Sequence, residues 1–294
     1  MDTSRITQQT VYKNTFDYLS QSLGKYQDIQ QQLASGKQLN RPSDSPQGMV
    51  SSLRYRGDMA RLDQFGKNIQ DGLSWLGTAD SALSTVVDQV QSVRNLIIQG
   101  QNANLDQAGR EALAQQVDQA RDALVGVANT QYLGRPIFGG TAGGDTAYDS
   151  TGAFLGNTGA VTRTIGFNQQ VDVNVTGPSV FGDQATGLFS TLTQISNDLR
   201  SSPQNLSADM GALDTNLTSV QNAQSVVGAS YNRLTATKSR NDDLAMQMKQ
   251  GLSDIEDVDL PKTIVDLQTQ EIAYQAALAA TSKVITPSLV DFLR

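Results

Sequence analysis

Six apolar residues stand seven apart in this chain: Leu62, Ile69, Leu76, Leu83, Val90 and Ile97, followed three residues on by Phe65, Gly72, Ala79, Val86, Val93 and Gly100. With 38% of the chain hydrophobic, six successes in six have a chance probability on the order of 0.003, or about 0.02 over seven frames. The repeat therefore predicts a helix roughly 60 Å long with one face turned to a partner. A second run has the same spacing: Leu206, Leu213, Val220, Val227, Leu234, Asn241, Met248 and Ile255, with companions Met210, Leu217, Gln224, Tyr231, Lys238, Ala245 and Leu252. Its polar members Gln224, Lys238 and Asn241 either fix the register of the seam or mark where it opens to water. Shorter runs, Leu113 to Val127 and Leu188 to Leu199, supply the other surfaces of a helical bundle.

The two ends of the chain carry the pattern in separate pieces. Tyr12, Phe16, Leu19, Leu23, Tyr26, Gln30 and Leu33 follow a four-three rule up to Gly36, which is placed as a left-handed helix stop. Asn40 to Pro46 then breaks one helix and caps the next. Near the other end, Asp254 to Pro261 interrupts the long repeat before a last helix carrying Ile264, Leu267, Tyr274, Leu278 and Ile285. That helix has a second apolar row, Val265, Ile272, Ala279 and Leu293. Two rows imply burial on two sides, and the second is most simply covered by another subunit.

Between the long runs, residues 134–183 hold 11 of the 25 glycines and lose the seven-residue repeat. The period falls to two: Val161, Arg163, Ile165, Phe167, then Val171, Val173, Val175 against Asp172, Asn174, Thr176. This predicts a small β-rich insertion with turns at Gly139-Gly140, Gly143-Gly144 and Gly177-Pro178. Since neither long seam contributes residues to it, it is expected to be removable. The fold class expected is mainly α with that β-rich insertion: an elongated antiparallel coiled-coil or helical-bundle rod built from both chain ends, with a β head at the tip. Its expected domains are 1–42 with 256–294, 43–133 with 184–255, and 134–183.

Chemistry is constrained by absences. The 294 residues include no cysteine and no histidine, which excludes disulfides, thiolate nucleophiles, Cys/His zinc sites, imidazole bases and the Ser-His-Asp triad. A net charge of -7 argues against nucleic acid as a partner. Met1 to Thr10 lacks the apolar core of a secretory signal, and no apolar run approaches a membrane span.

The remaining motifs read as structure. Phe138 to Gly144 is glycine-rich without the Gly-Lys-Ser/Thr of a phosphate loop. Ser22-Leu23-Gly24-Lys25 matches Ser-x-x-Lys without the companion Lys-Thr-Gly. Asp254, Glu256, Asp257 and Asp259 lack the spacing of a calcium loop and read as a solvated hinge near a helix start. Arg56-Gly57-Asp58 falls in a helix, Asn174, Asn205 and Asn216 head Asn-x-Ser/Thr triplets, and Trp75 neighbours a seam residue.

Leu33 to Pro46 (LASGKQLNRPSDSP) resembles the signature of the flagellin superfamily, and its Asn-Arg-Pro-Ser-Asp core is similar to the hook-associated protein 3 branch. Ile255-Glu256-Asp257-Val258-Asp259, the terminal Ser288 to Arg294, and Tyr132 to Thr141 (YLGRPIFGGT) are similar to the same branch.

The resemblance implies a structural subunit, not an enzyme and without cofactors, located in the flagellum after export by the flagellar type III apparatus with no cleaved signal. It implies assembly with other copies in a ring or tube. The other partners implied are the second hook-filament junction protein, flagellin, and an export chaperone at the C-terminal helices, with no nucleic acid and no membrane insertion. The residues implied in subunit assembly are Tyr12, Phe16, Leu19, Leu23, Ile264, Leu267, Ile272, Tyr274, Leu278, Ile285, Leu289 and Phe292. Those of the family motif are Ser35, Gly36, Asn40, Arg41, Pro42, Ser43 and Asp44. Filament flagellin shares this terminal architecture and is the alternative within the family. A cytosolic coiled-coil adaptor or a hydrolase using carboxylates alone are the alternatives outside it.

Overall fold

The computed structural model describes residues 8–102 and 104–292, with side chains described for 10, 12–102 and 104–282. Seven α-helices carry most of it: α1 Gln8–Ser35, α2 Pro46–Gly100, α3 Gln107–Ala128, α4 Gly177–Phe181, α5 Leu188–Ser201, α6 Leu206–Glu256 and α7 Leu260–Phe292. Two antiparallel hairpins complete it, β1 Gln131–Tyr132 with β2 Arg135–Pro136 and β3 Thr162–Gly166 with β4 Gln169–Asp172. The chain divides into two compact units, Arg61–Leu244 and Met1–Ala60 with Ala245–Arg294.

The unit Arg61–Leu244 holds one continuous core. Leu62, Ile69, Leu76, Leu83, Val90 and Ile97 of α2 are all buried, as are Leu206, Leu213, Val220, Val227 and Leu234 of α6, so the seven-residue spacing reports true seams. Leu113, Val117 and Leu124 of α3 and Leu188, Leu192, Ile195 and Leu199 of α5 close the bundle. On α6 the expected companions Met210 and Leu217 pack partly buried against the core, beside a more deeply buried row. Asp209, Asn216, Ala223 and Thr237 are buried, one position before Met210, Leu217, Gln224 and Lys238, because a row three residues past the seam competes with one four past it and packing selects between them. Of the polar seam candidates, Asn241 donates to the Ile165 carbonyl at 3.0 Å and so holds a strand end in place. Lys238 instead reaches its own helix neighbour Asp242 at 2.8 Å.

The glycine-rich stretch does not stand apart from these helices but shares their core. Phe138, Ile165, Val173, Val180 and Phe181 are buried in the same cluster as the α2 and α6 seams. Gly72 of α2 lies so close to Val173 and Leu234 that a Cβ would stand 3.1 and 3.0 Å from them. Arg163 donates to Asp71 at 2.7 Å, and Tyr148 packs against Phe154, Phe181 and Phe189 with ring centroids 5.2 to 5.4 Å apart. The period of two is real, with Val161, Ile165, Val171, Val173 and Val175 buried. Phe167, however, is exposed beside Asn168, whose positive φ of 55° makes the reversal. At Gly177-Pro178 there is no turn: these residues start α4 with Pro178 in its first positions, where a missing N–H costs nothing.

Candidate functional site

The family-like motif builds a joint inside the unit Met1–Ala60 with Ala245–Arg294. Gly36 sits at φ 68° just after α1 ends, the left-handed stop expected of it. Its carbonyl accepts from Val258 N at 3.1 Å, while Gln38 N donates to the Glu256 carbonyl at 2.7 Å, so the segments following α1 and α6 are stitched backbone to backbone. Ser35 Oγ accepts from Lys37 N at 3.2 Å, and Asn40 Nδ2 donates to the Lys37 carbonyl at 2.8 Å. Asp44 receives the amides of Asn40 and Arg41 at 3.0 and 2.7 Å, closing a turn whose remaining members, Pro42 and Ser43, are exposed. Ser45 Oγ accepts from Gly48 N at 3.1 Å and Pro46 is the first residue of α2, a capping serine followed by a proline with no amide to satisfy. Arg41 extends to Gln31 Oε1 at 2.8 Å.

At the centre of this joint is a carboxylate that the sequence reading placed in a solvated hinge. Glu256 is buried, and Ser52 Oγ, Arg56 and Lys37 all donate to it. The Arg56 guanidinium, with help from Lys37 and Ser52, holds its carboxyl down to about 2 despite burial. Four acids in six residues suggested only a charged surface, and the signal that could have found Glu256 is its position closing a seam just after Ile255. The rest of the reading of that segment stands: Asp259 Oδ1 accepts from Lys262 N at 3.2 Å at the start of α7, and Ser253 and Lys37 reach Asp257 at 2.5 and 3.3 Å.

Beyond the joint α1 and α7 run antiparallel, tied by Gln270 Nε2 to Ser22 Oγ at 2.9 Å. The inner faces are Tyr12, Thr15, Leu19, Ser22, Tyr26, Ile29 and Leu33 on α1, and Thr263, Leu267, Gln270, Tyr274, Ala277 and Thr281 on α7. This splits the expected seams. Tyr12, Leu19, Leu267 and Tyr274 face inward, whereas Phe16, Leu23, Ile264 and Leu278 lie one position over and are exposed. Ile272 and Val265 are exposed as well, at 68% and 60%. The side chains of Ile285, Leu289 and Phe292, and of Leu293, lie outside those described. The pair thus has a half-buried seam of its own, mixed from Leu19, Tyr26, Ile29, Leu267 and Tyr274 with Thr15, Ser22 and Gln270, and leaves much further apolar surface outward.

The other motifs are occupied structurally. Ser22 of the Ser-x-x-Lys match accepts from Gln270, and Arg56 of Arg-Gly-Asp is committed to Glu256. Asn174 holds Val161 N and the Gly159 carbonyl at 2.7 and 3.0 Å, and Asn216 is buried against Thr191. Gly140, at φ 67°, approaches the Asn157 carbonyl too closely for any side chain. Among the described residues no group of three or more Asp or Glu is arranged to hold a metal, and no helix is long and apolar enough to cross a membrane.

Comparison with known proteins agrees with this architecture. The chain is 27% identical to flagellin of Bacillus subtilis strain 168 over 94% of each chain, and 24% identical to flagellar hook-associated protein 3 of Escherichia coli K12 over 94% of this chain and 95% of that one. The crystal structure of Bacillus cereus FlgL superposes with a TM-score of 0.60 at 21% identity, covering 68% of this chain and 99% of that one. The bacterial flagellin N-terminal helical region matches residues 6–142 and the C-terminal helical region residues 210–293. The chain belongs to the flagellin superfamily of structural flagellar proteins, as a relative of hook-associated protein 3.

Proposed function

We propose that this chain is the subunit that joins the flagellar hook to the filament and presents the surface on which flagellin begins to polymerise. Assembly would proceed by packing of the α1/α7 pair against neighbouring copies. The observation that carries the reading is the apolar surface the pair leaves uncovered: Phe16, Ile264, Val265, Ile272 and Leu278 face water, in addition to the half-buried seam of Leu19, Tyr26, Leu267 and Tyr274. Burying one such apolar side chain contributes roughly 1.5 to 3 kcal/mol, so several of them repeated at each contact favour a closed ring or tube over free chains.

On this reading the partners are other copies of the chain, the second junction protein on one side and flagellin on the other. Delivery is by the flagellar type III apparatus, with a chaperone covering the C-terminal helices beforehand. The likeness to Bacillus subtilis flagellin favours filament flagellin as the second reading. Labelling the chain on purified hook-basal bodies and imaging by cryo-microscopy separates the two: a single ring at the hook end is expected, a labelled filament would make the chain a flagellin, and absence of label would remove it from both.

A further inference from the structure

The hairpin that follows α3 turns on a residue that backbone sterics disfavour there. Tyr132 pairs with Arg135, so Leu133 and Gly134 alone form the loop, and both stand at positive φ, 49° and 77°. Glycine and asparagine suit such two-residue turns. A leucine at positive φ sets its Cβ against the neighbouring carbonyl, and here the side chain gains nothing from its own chain, since it is 82% exposed. The loop is nevertheless held in place. Tyr132 meets Trp75 edge-on at 5.7 Å and donates to Asp71 Oδ1 at 3.3 Å, and Gln131 Nε2 donates to the Asp145 carbonyl at 2.6 Å. A strained apolar side chain on a fixed support is the form of a preorganised contact.

Its complement lies on the same unit, Arg61–Leu244. Between α2 and α3 a groove of about 380 Å³ has Val93, Leu96, Ala120 and Ala123 in its wall and otherwise only glutamine and serine. The wall carries no charge, but the exposed acids Asp88 and Asp122 adjoin its members Gln89 and Ala123 in sequence. Leu133 is followed two residues on by exposed Arg135. An apolar knob beside a cation thus matches an apolar groove beside two acids. The knob does not reach the groove of its own chain: Val93 stands eighteen residues beyond Trp75 on α2, roughly 27 Å along the helix.

We propose that Leu133 enters the α2/α3 groove of a second copy of this chain, with Arg135 beside Asp88 and Asp122, so that copies join head to tail through their Arg61–Leu244 units. The contact is heterologous: each copy offers a knob to one neighbour and a groove to another, and the series closes into a ring or extends as a row. It lies outside the α1/α7 surface and does not depend on whether the assembly is a hook-end ring or a filament.

The absence of cysteine allows a direct test on the full chain. A variant carrying both Leu133→Cys and Ala123→Cys is concentrated and oxidised with copper phenanthroline. A ladder of covalent oligomers is expected, roughly tenfold more abundant than the products of either single variant, whereas an equal mixture of the two single variants should stop at dimers. Adding Arg135→Glu should weaken the ladder, and adding Asp88→Arg to that chain should restore most of it. Leu133→Asn should move two readings in opposite directions. Asparagine accepts positive φ, so the thermal transition of the free chain should rise by about 2 to 4 °C. Excess parent chain should shield Ala123→Cys from maleimide, and excess Leu133→Asn chain should not. No ladder from the double variant would overturn the proposal, as would abundant dimers from Leu133→Cys alone, which would set tip against tip. Shielding of Ala123→Cys by flagellin but not by this chain would give the groove to another partner and overturn it too.

Discussion

Arg56 lays Nε and Nη2 on the two carboxylate oxygens of Glu256, at 2.9 and 2.7 Å, from a position 200 residues away in sequence. The carboxylate is almost sealed, with 3% of its side chain exposed, while Arg56 remains 58% exposed. The interaction is thus a solvated cation closing over a buried anion, a forked geometry in which arginine is not replaceable by lysine.

Removing that anion should loosen the joint. Glu256→Gln keeps the volume but gives up the charge on which Lys37 and Arg56 converge, and should cost about 2 to 3 kcal/mol. Hydrogen exchange at the amides of Gln38 and Val258 is the direct reading, because their bonds cross the joint. Unchanged protection there would mean that backbone pairing alone holds it.

The same group sets an acid limit. Its carboxyl lies below the ordinary value of 4.5, at about 2, so the unfolded chain binds its proton first as pH falls. The stabilisation is complete above the ordinary carboxylate range and is lost as pH drops through about 2, amounting to about 3 kcal/mol when gone. Protection at Gln38, corrected for intrinsic exchange rates and followed from pH 5 to pH 2, should fall in the parent and show little added change in Glu256→Gln. Parallel slopes in the two proteins would assign the acid sensitivity to another group.

Ile272→Asp should separate assembly from folding. The side chain is 68% exposed on α7, so the free chain should keep its stability within about 0.5 kcal/mol, whereas an unpaired carboxylate between subunits would cost several kcal/mol per contact. On the proposed junction role, cells carrying the variant should shed flagellin into the medium. Leu83→Ala, in the fully buried α2 seam, should reverse the order by destabilising the free chain by about 2 to 5 kcal/mol. Normal rings from Ile272→Asp would show that this row faces solvent in the assembly as well.

Deleting residues 134–183 behind a short linker should unfold the bundle, because Phe138, Ile165, Val173 and Phe181 are among the side chains it would remove from the core. Thermal unfolding followed by helix circular dichroism is the measurement. A transition within a few degrees of the parent would show that α2 and α6 close over the gap by themselves.

What was legible in the sequence follows from what repeats. Leu62 to Ile97 and Leu206 to Leu234 announced their seams because each buried position is apolar and the helix period is long enough to count. Gly36 and Pro46 announced the joint because backbone geometry restricts who can stand there. Glu256 was hidden, since a buried acid differs from a surface acid only by partners that arrive from Lys37, Ser52 and Arg56. The α1/α7 seam was misread at Phe16, Leu23, Ile264 and Leu278 for a different reason. Hydrophobicity marks surfaces that avoid water without saying which surface meets which, and here apolar residues stand both on the half-buried seam and on the face the chain leaves exposed.

The backbone bonds from Gln38 N to the Glu256 carbonyl and from Val258 N to the Gly36 carbonyl also order events in time. Closing a loop of some 220 residues carries an entropy cost on the order of 5 kcal/mol, which nothing local to Gly36 can offset. The stitch forms only after the segment around Glu256 has arrived and the intervening helices have shortened the distance between the two strands of the joint. A chain emerging from its N-terminus therefore keeps α1 undocked until nearly all of it is out. The joint thereby distinguishes finished subunits from incomplete ones, and α1 finds α7 only in the former.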